Sequence, residues 1–215
     1  CFECLKYFGI NSEYNENIYY RRIFNKEKIE KTYTQLNLGL SNEEFIVLCV
    51  GANKVSFKIN GKYKSNDVKN WPIENWIVLA NSLNKENIRV VLVGGKNDMK
   101  KIIDCKERLD NSILNLVGRM NIAESISILE YAKMVVGCDT GLMHCAASLN
   151  KRTLMLLGGI TPIQAQGYGK NSESIYLHKQ CSPCFGTGKD VFCNDPVCMK
   201  EISVENVLER ILNIC

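Results

Sequence analysis

The sequence predicts a doubly wound parallel α/β sheet, and three observations carry that expectation. From residue 45 onward, short apolar runs rich in β-branched residues alternate with segments of helical periodicity, the pattern of a sheet covered by helices on both faces. The runs are apolar throughout rather than alternating, as strands buried on both sides require. Glycine recurs at or near their carboxyl ends, at Gly51, Gly94–Gly95, Gly118, Gly137 and Gly158–Gly159, where ligands of open α/β sheets bind. An ordinary turn is an equal explanation for any one of these glycines; their recurrence in one topological position favours a ligand edge.

The elements follow in order. Residues 1–40 are polar and rich in Asn and Lys, with weak helical periodicity over Lys26–Leu36. We read 1–42 as the remnant of a preceding N-terminal domain plus a linker, and 43–215 as one domain. The chain opens on Cys1 rather than Met, so the expectation is a fragment whose upstream part, any targeting segment included, lies outside it. Strands are expected at Phe45–Val50, Arg89–Val93, Ile113–Val117, Met134–Cys138 and Thr153–Leu157, with a weaker one at Ser174–Leu177, giving five or six parallel strands. Helices fall between them at Ile73–Asn84, Asp98–Leu109, Ile122–Ala132 and Gly141–Leu149. The stretch Asn53–Lys69, with Lys54, Lys58, Lys62 and Lys64, reads as a basic, flexible loop. Residues 180–200 break the pattern as a Cys-, Pro- and Gly-rich loop. An amphipathic helix over Val204–Leu212, with Ser203 as its N-cap, closes the chain.

Composition narrows the class. A chain of 215 residues, 46% hydrophobic and 23% charged, has the apolar content of a globular domain and disfavours disorder. The net charge of +4 suits an anionic ligand or a membrane surface without identifying either. No basic stripe with interleaved aromatics points to nucleic acid. No run approaches the roughly 18–20 apolar residues of a transmembrane helix. Eleven cysteines, an odd number, argue against a fully paired secreted disulfide framework. Cys49, Cys105, Cys138 and Cys145 read as small buried hydrophobes.

Two segments carry chemistry. In Gly137-Cys138-Asp139-Thr140-Gly141-Leu142-Met143-His144, a buried strand ends and a helix begins. A helix N-terminus offers unpaired N–H groups and a positive dipole end, which suits phosphate. Asp139 can accept hydrogen bonds from sugar hydroxyls, Thr140 can donate to phosphate, and Gly141 permits close approach. The plainer alternative makes Asp139 or Thr140 a helix cap and His144 a satisfied core histidine. In Lys69-Asn70-Trp71-Pro72, Pro72 suits the first turn of the next helix, and Lys69 is positioned to reach an anion at the sheet's carboxyl edge. The alternative there is a solvated loop lysine. A third segment, Cys181-x2-Cys184-x8-Cys193-x4-Cys198, holds four thiols, a set that suits tetrahedral zinc or remains a free or disulfide-linked cluster.

Taken together with Gly51-Ala52-Asn53, Val93-Gly94-Gly95 with Asp98, Asn115-Leu116-Val117-Gly118, Gly158-Gly159-Ile160-Thr161-Pro162 and Cys181-Ser182-Pro183-Cys184-Phe185, these segments resemble the C-terminal domain of glycosyltransferase family 9. That family comprises the bacterial heptosyltransferases of the lipopolysaccharide inner core. The resemblance spans about residues 45–213, and the cysteine-rich tail is similar to the branch typified by the second heptosyltransferase. It implies a Rossmann-like sheet forming the C-terminal half of a GT-B enzyme, an inverting transferase of the cytoplasm, peripheral to the inner membrane. The donor would be an ADP-sugar and the acceptor a lipid-linked saccharide.

By the same resemblance Lys69 contacts the donor's phosphate-sugar region and Asp139 the heptose hydroxyls. Thr140, Gly141 and Leu142 present donors to the diphosphate, with His144 supporting their loop. Met120 gives a backbone contact to adenine, Asp98 lies near the acidic ribose contact, and Asn53 belongs to the same donor site. Because each lies at or just after the carboxyl end of an expected strand, Asn53, Lys69, Gly94, Met120 and Asp139 are expected to converge on one cleft. The general base would stand on the N-terminal domain, and transfer would need no cofactor, with structural zinc on the four cysteines as the candidate metal. The alternatives are a GT-B transferase or epimerase using another nucleotide sugar, and a non-catalytic Cys4 metal-binding module.

Overall fold

The computed structural model describes residues 26–40, 44–52, 55–59, 62–66, 68–185, 187 and 193–214. Its strands are β1 (Phe45–Cys49), β2 (Val55–Ile59), β3 (Lys62–Asn66), β4 (Arg89–Val93), β5 (Leu114–Asn115), β6 (Met134–Cys138), β7 (Arg152–Leu157) and β8 (Ser172–Tyr176). Six of them form one sheet in the order β5-β4-β1-β6-β7-β8, every pairing parallel. The unbroken apolar run of β1 has a direct cause in this arrangement. Ile46 and Leu48 enter one core while Phe45, Val47 and Cys49 enter the other, because successive strand residues face opposite ways.

Helices α2 (Ile73–Lys85), α3 (Lys96–Asp104) and α8 (Val204–Ile214) cover the first face. Helices α1 (Lys26–Leu36), α4 (Ile122–Tyr131) and α5 (Gly141–Ser148) cover the second. Local chemistry sets their starts. Asn121 accepts from the Glu124 amide at 3.0 Å while the Glu124 carboxylate accepts from the Asn121 amide at 2.7 Å, a reciprocal cap that begins α4. The weak periodicity at 26–36 does form a helix. It lies against α4, with Tyr33 stacked on Tyr131 at 4.0 Å and Ile29 in the core.

Three expectations need correction. The basic stretch after β1 is not simply a flexible loop, since β2 and β3 pair antiparallel from Val55↔Asn66 to Ile59↔Lys62. Its lysines mask a period-two pattern, Val55-Ser56-Phe57-Lys58-Ile59, followed by Asn60-Gly61, the dipeptide that favours tight hairpins. The strand expected over 113–117 is only two residues long, because Val117 bonds locally to the Asn115 side chain and Gly118 takes φ +73°. The helix expected at 98–109 starts earlier, at Lys96, and gives way after Asp104 to a 3₁₀ turn over Lys106–Arg108.

The cysteine-rich segment is docked on the domain. Cys184 and Phe185 donate backbone N–H bonds to the Gly159 carbonyl at 2.9 and 2.8 Å. The short helix α6 (Pro162–Ala165) follows β7, and Cys198 and Met199, on the short helix α7 (Val197–Lys200), are buried in the first core. No helix among the described residues is long and apolar enough to cross a membrane.

The order of the strands fixes the site. The chain lays down β1 at the centre, steps outward to β4 and β5, then returns to the other side of β1 as β6. Loops leaving β1 and β6 therefore diverge and open a crevice at their carboxyl ends. Gly51–Ala52 lies just beyond β1, and Asp139–Thr140 directly follows β6.

Candidate functional site

Each residue of Lys69-Asn70-Trp71-Pro72 has a separate task. Trp71 is 2% exposed, stands edge-on to Trp76 at 4.8 Å, and donates its indole N–H to the Ile202 carbonyl at 2.9 Å. Asn70 grips Ala52 twice. Its Nδ2 donates to the Ala52 carbonyl at 2.8 Å and its Oδ1 accepts from the Ala52 amide at 2.6 Å. Pro72 stands at the N-cap position of α2. With its neighbours tied to the core and to the end of β1, Lys69 is delivered to the crevice. Its Nζ lies 2.7 Å from Asp139 Oδ2 and 4.6 Å from the centre of the Phe185 ring.

Asp139 directly follows β6 and is held from two sides, since its Oδ1 lies 3.2 Å from His144 Nε2 on the first turn of α5. Its side chain is 14% exposed, against 23% for Lys69 and 47% for His144. The His144 hydrogen bond foremost, with the Lys69 bond and charge beside it, holds the Asp139 carboxyl below the usual carboxylate range, against the upward push of partial burial. His144 is thus an exposed partner of Asp139 rather than a core histidine.

The helix that follows is open at its start. Thr140 takes the extended conformation of an N-cap, but its hydroxyl makes no capping bond. The Thr140 Oγ1 is buried without a hydrogen-bond partner. Its carbonyl accepts from Met143 and His144, while Leu142 is half-buried against the second core. A Cβ on Gly141 would meet nothing within 4 Å, so the fold leaves this approach clear. An ammonium and a carboxylate thus line one crevice, and the uncapped start of α5 follows Asp139 directly, a set of groups able to hold an anion with hydroxyls beside it. Leu157, Gly158, Gly159, Ile160, Cys184 and Phe185 complete its wall.

The remaining predicted residues spread along the same carboxyl edge. The Asp98 carboxylate accepts from the Gly95 amide at 3.1 Å, and Asp98 N–H donates back to the Gly95 carbonyl. Asp98 therefore caps the start of α3, and it lies so close over Gly51 that a Cβ there would meet the carboxylate at 2.0 Å. Gly118 N–H bonds the Gly94 carbonyl at 3.0 Å, and Met120 packs on the second core. Asn53 lies outside the described residues. Sequence reasoning gave no role to Asn70 or Phe185. An Asn beside a Trp-Pro pair and a Phe after a cysteine carry no periodic signal.

Three cysteines of the tail act on the fourth. Burial first, then Cys184, Cys181 and Cys193, push the Cys198 thiol up to about 11. Among the described residues, no three His, Cys, Asp or Glu side chains are gathered as a metal site requires.

The doubly wound sheet and its switch-point crevice define the class: a Rossmann-like α/β domain that takes its ligand at the carboxyl edge of the strands. The sequence model of glycosyltransferase family 9 (heptosyltransferase) matches residues 20–193, and the chain belongs to that family. It is 32% identical over 120 residues to lipopolysaccharide heptosyltransferase 1 of Salmonella typhimurium strain LT2, an alignment covering 55% of this chain and 36% of that protein. It is 30% identical over 138 residues to lipopolysaccharide heptosyltransferase 2 of Escherichia coli K12, covering 62% and 36%. The structure of E. coli ADP-heptose lps heptosyltransferase II superposes with a TM-score of 0.66 at 22% identity, over 89% of this chain and 52% of that one. The chain spans about a third of the length of the curated relatives it matches and about half of that solved structure.

Proposed function

We propose that this chain is the donor-binding C-terminal half, residues 43–215 with 1–42 as remnant and linker, of an inverting ADP-heptose:lipopolysaccharide heptosyltransferase. The observation that carries the reading is the meeting of Lys69 and Asp139 at 2.7 Å beside the uncapped start of α5. Lys69 and the α5 N-terminus stabilise negative charge developing on the departing diphosphate. Asp139 accepts hydrogen bonds from heptose hydroxyls, and His144 fixes its orientation. Gly141 gives the diphosphate room. Met120 and the Asp98 end of the sheet face the nucleoside, and Asn53 completes the donor site.

Deprotonating the acceptor hydroxyl takes a general base, which this reading assigns to the N-terminal half. Transfer requires no cofactor. The acceptor is a lipid-linked saccharide, and the work is done in the cytoplasm against the inner membrane, which the +4 net charge favours electrostatically. Cys181, Cys184, Cys193 and Cys198 do not fit the zinc that their spacing suggests: among the described residues they are not gathered as a metal site requires, and burial keeps the Cys198 thiol from ionising.

Calorimetry tests the reading. The chain should bind ADP and ADP-heptose, bind UDP-sugars more weakly, and transfer nothing by itself. Equal binding of UDP-N-acetylglucosamine would favour an epimerase-like donor site. Transfer by this chain alone would place the base within it.

A further inference from the structure

Among the described residues, Phe185 is the one aromatic side chain on the wall of the crevice, and it comes from the cysteine-rich segment rather than from the sheet. Two features fix its ring. Cys184 and Phe185 both donate backbone N–H bonds to the Gly159 carbonyl, at 2.9 and 2.8 Å, so the pair is fastened to the loop leaving β7. The ring centre stands 4.6 Å from the Lys69 Nζ, which is also 2.7 Å from Asp139. An ammonium within about 6 Å of an aromatic face is attracted by the ring's quadrupole. A ring, unlike a carboxylate, does this without adding negative charge that would oppose an incoming phosphate.

We propose that Phe185 is a positioning residue for the donor site: its ring, carried on a backbone fastened to Gly159, holds the Lys69 ammonium where a diphosphate meets it. The inference rests on the donor-site reading above and deepens it. It also gives the tail a task beyond covering the core. When the diphosphate draws Lys69 away from Asp139 toward the α5 N-terminus, the ring still supports the cation, and Asp139 is released to meet the sugar.

Two experiments separate this proposal from the reading it rests on. The first needs no ligand. A double-mutant cycle on unfolding in urea with Phe185→Leu and Lys69→Met should show a coupling of about two- to fivefold in the unfolding constant. A coupling within error of unity overturns the contact, whatever the chain binds. The second replaces Phe185 by phenylalanines carrying one, two and three ring fluorines, which weaken the quadrupole stepwise at nearly constant shape. ADP affinity should fall progressively, by about two- to tenfold across the series, Phe185→Tyr should keep most of it, and Phe185→Leu should lose as much as the trifluoro ring. An affinity lost on Phe185→Leu but indifferent to fluorination shows a purely steric wall and overturns the proposal. If the unsubstituted chain binds no adenine nucleotide while the cycle shows coupling, the donor-site reading fails and the contact between Phe185 and Lys69 stands.

Discussion

Asp139 accepts two hydrogen bonds from groups that carry or can carry positive charge, and this shapes what its replacement should do. Asp139→Asn keeps an oxygen for one partner but removes the charge. A charge-assisted bond to a sugar hydroxyl contributes roughly 1.5–3 kcal/mol, so affinity for ADP-heptose should fall about ten- to a hundredfold. ADP itself should bind unchanged or slightly tighter, since Lys69 loses its competing anion. Calorimetry with both ligands distinguishes the cases; equal losses would make the residue structural. The acid dependence has a definite sign. The Asp139 carboxyl titrates below its ordinary range when folded, so its ion pair stabilises the fold above the unfolded-state value and is lost as pH falls through the lowered one. His144→Ala removes the largest cause of that lowering and should move the Asp139 titration upward, which a carboxyl NMR titration reads. Gly141→Ala should leave urea stability nearly intact, because the added Cβ meets nothing, yet weaken ADP binding by occupying the phosphate's approach.

At the scale of elements, the buried strands were legible because each lies between two apolar layers, and that environment admits only one composition. The start of α5 was legible for a related reason: a strand ending in Gly-Cys-Asp-Thr-Gly leaves little except a turn into a helix. The β2–β3 hairpin was not, since its lysines hide the alternation that Asn60-Gly61 confirms. Nor was the docking of the tail, where Cys, Pro and Gly impose turns but no period, and the bonds to Gly159 join segments far apart in the chain. The convergence of Lys69 and Asp139 followed from strand order, but the partners that aim them did not: Asn70 acts through Ala52, and Phe185 through Gly159. Trp71 is the test of how this segment is anchored. Trp71→Phe keeps most of the apolar volume but leaves the buried Ile202 carbonyl unpaired, at about 1–3 kcal/mol. A urea midpoint lowered accordingly, with the spectrum of the folded state preserved, is the expected result.

For the whole molecule, the sheet is a shared surface with a helical layer on each side, and the layers are not equally autonomous. The first face takes α2 from the middle of the chain and α8 from its end, and both bury residues in the same core. Removing residues 201–215 should therefore do more than shorten a helix. It uncovers α2, strips the partner from Trp71 and loosens the segment that delivers Lys69. The expected outcome is a chain that no longer unfolds cooperatively and no longer binds ADP. A truncated chain with an intact urea transition would show that α8 is dispensable.

The indole bond from Trp71 to the Ile202 carbonyl also has a consequence in time. A ribosome adding about 5–20 residues per second releases β1 and the Lys69 segment well before the residue that secures them, since Ile202 follows Trp71 by 131 residues. β1 meanwhile waits at the centre of the sheet for β4 on one side and β6 on the other. Contacts so distant in sequence slow folding, since the loop between them must close before they reward it. The nascent domain thus spends most of its synthesis with unfinished apolar strand edges, exposed to any chaperone or like strand nearby. A pulse of protease on stalled chains of increasing length should find the Lys69 segment cleavable until Ile202 has cleared the exit, and protected soon afterwards.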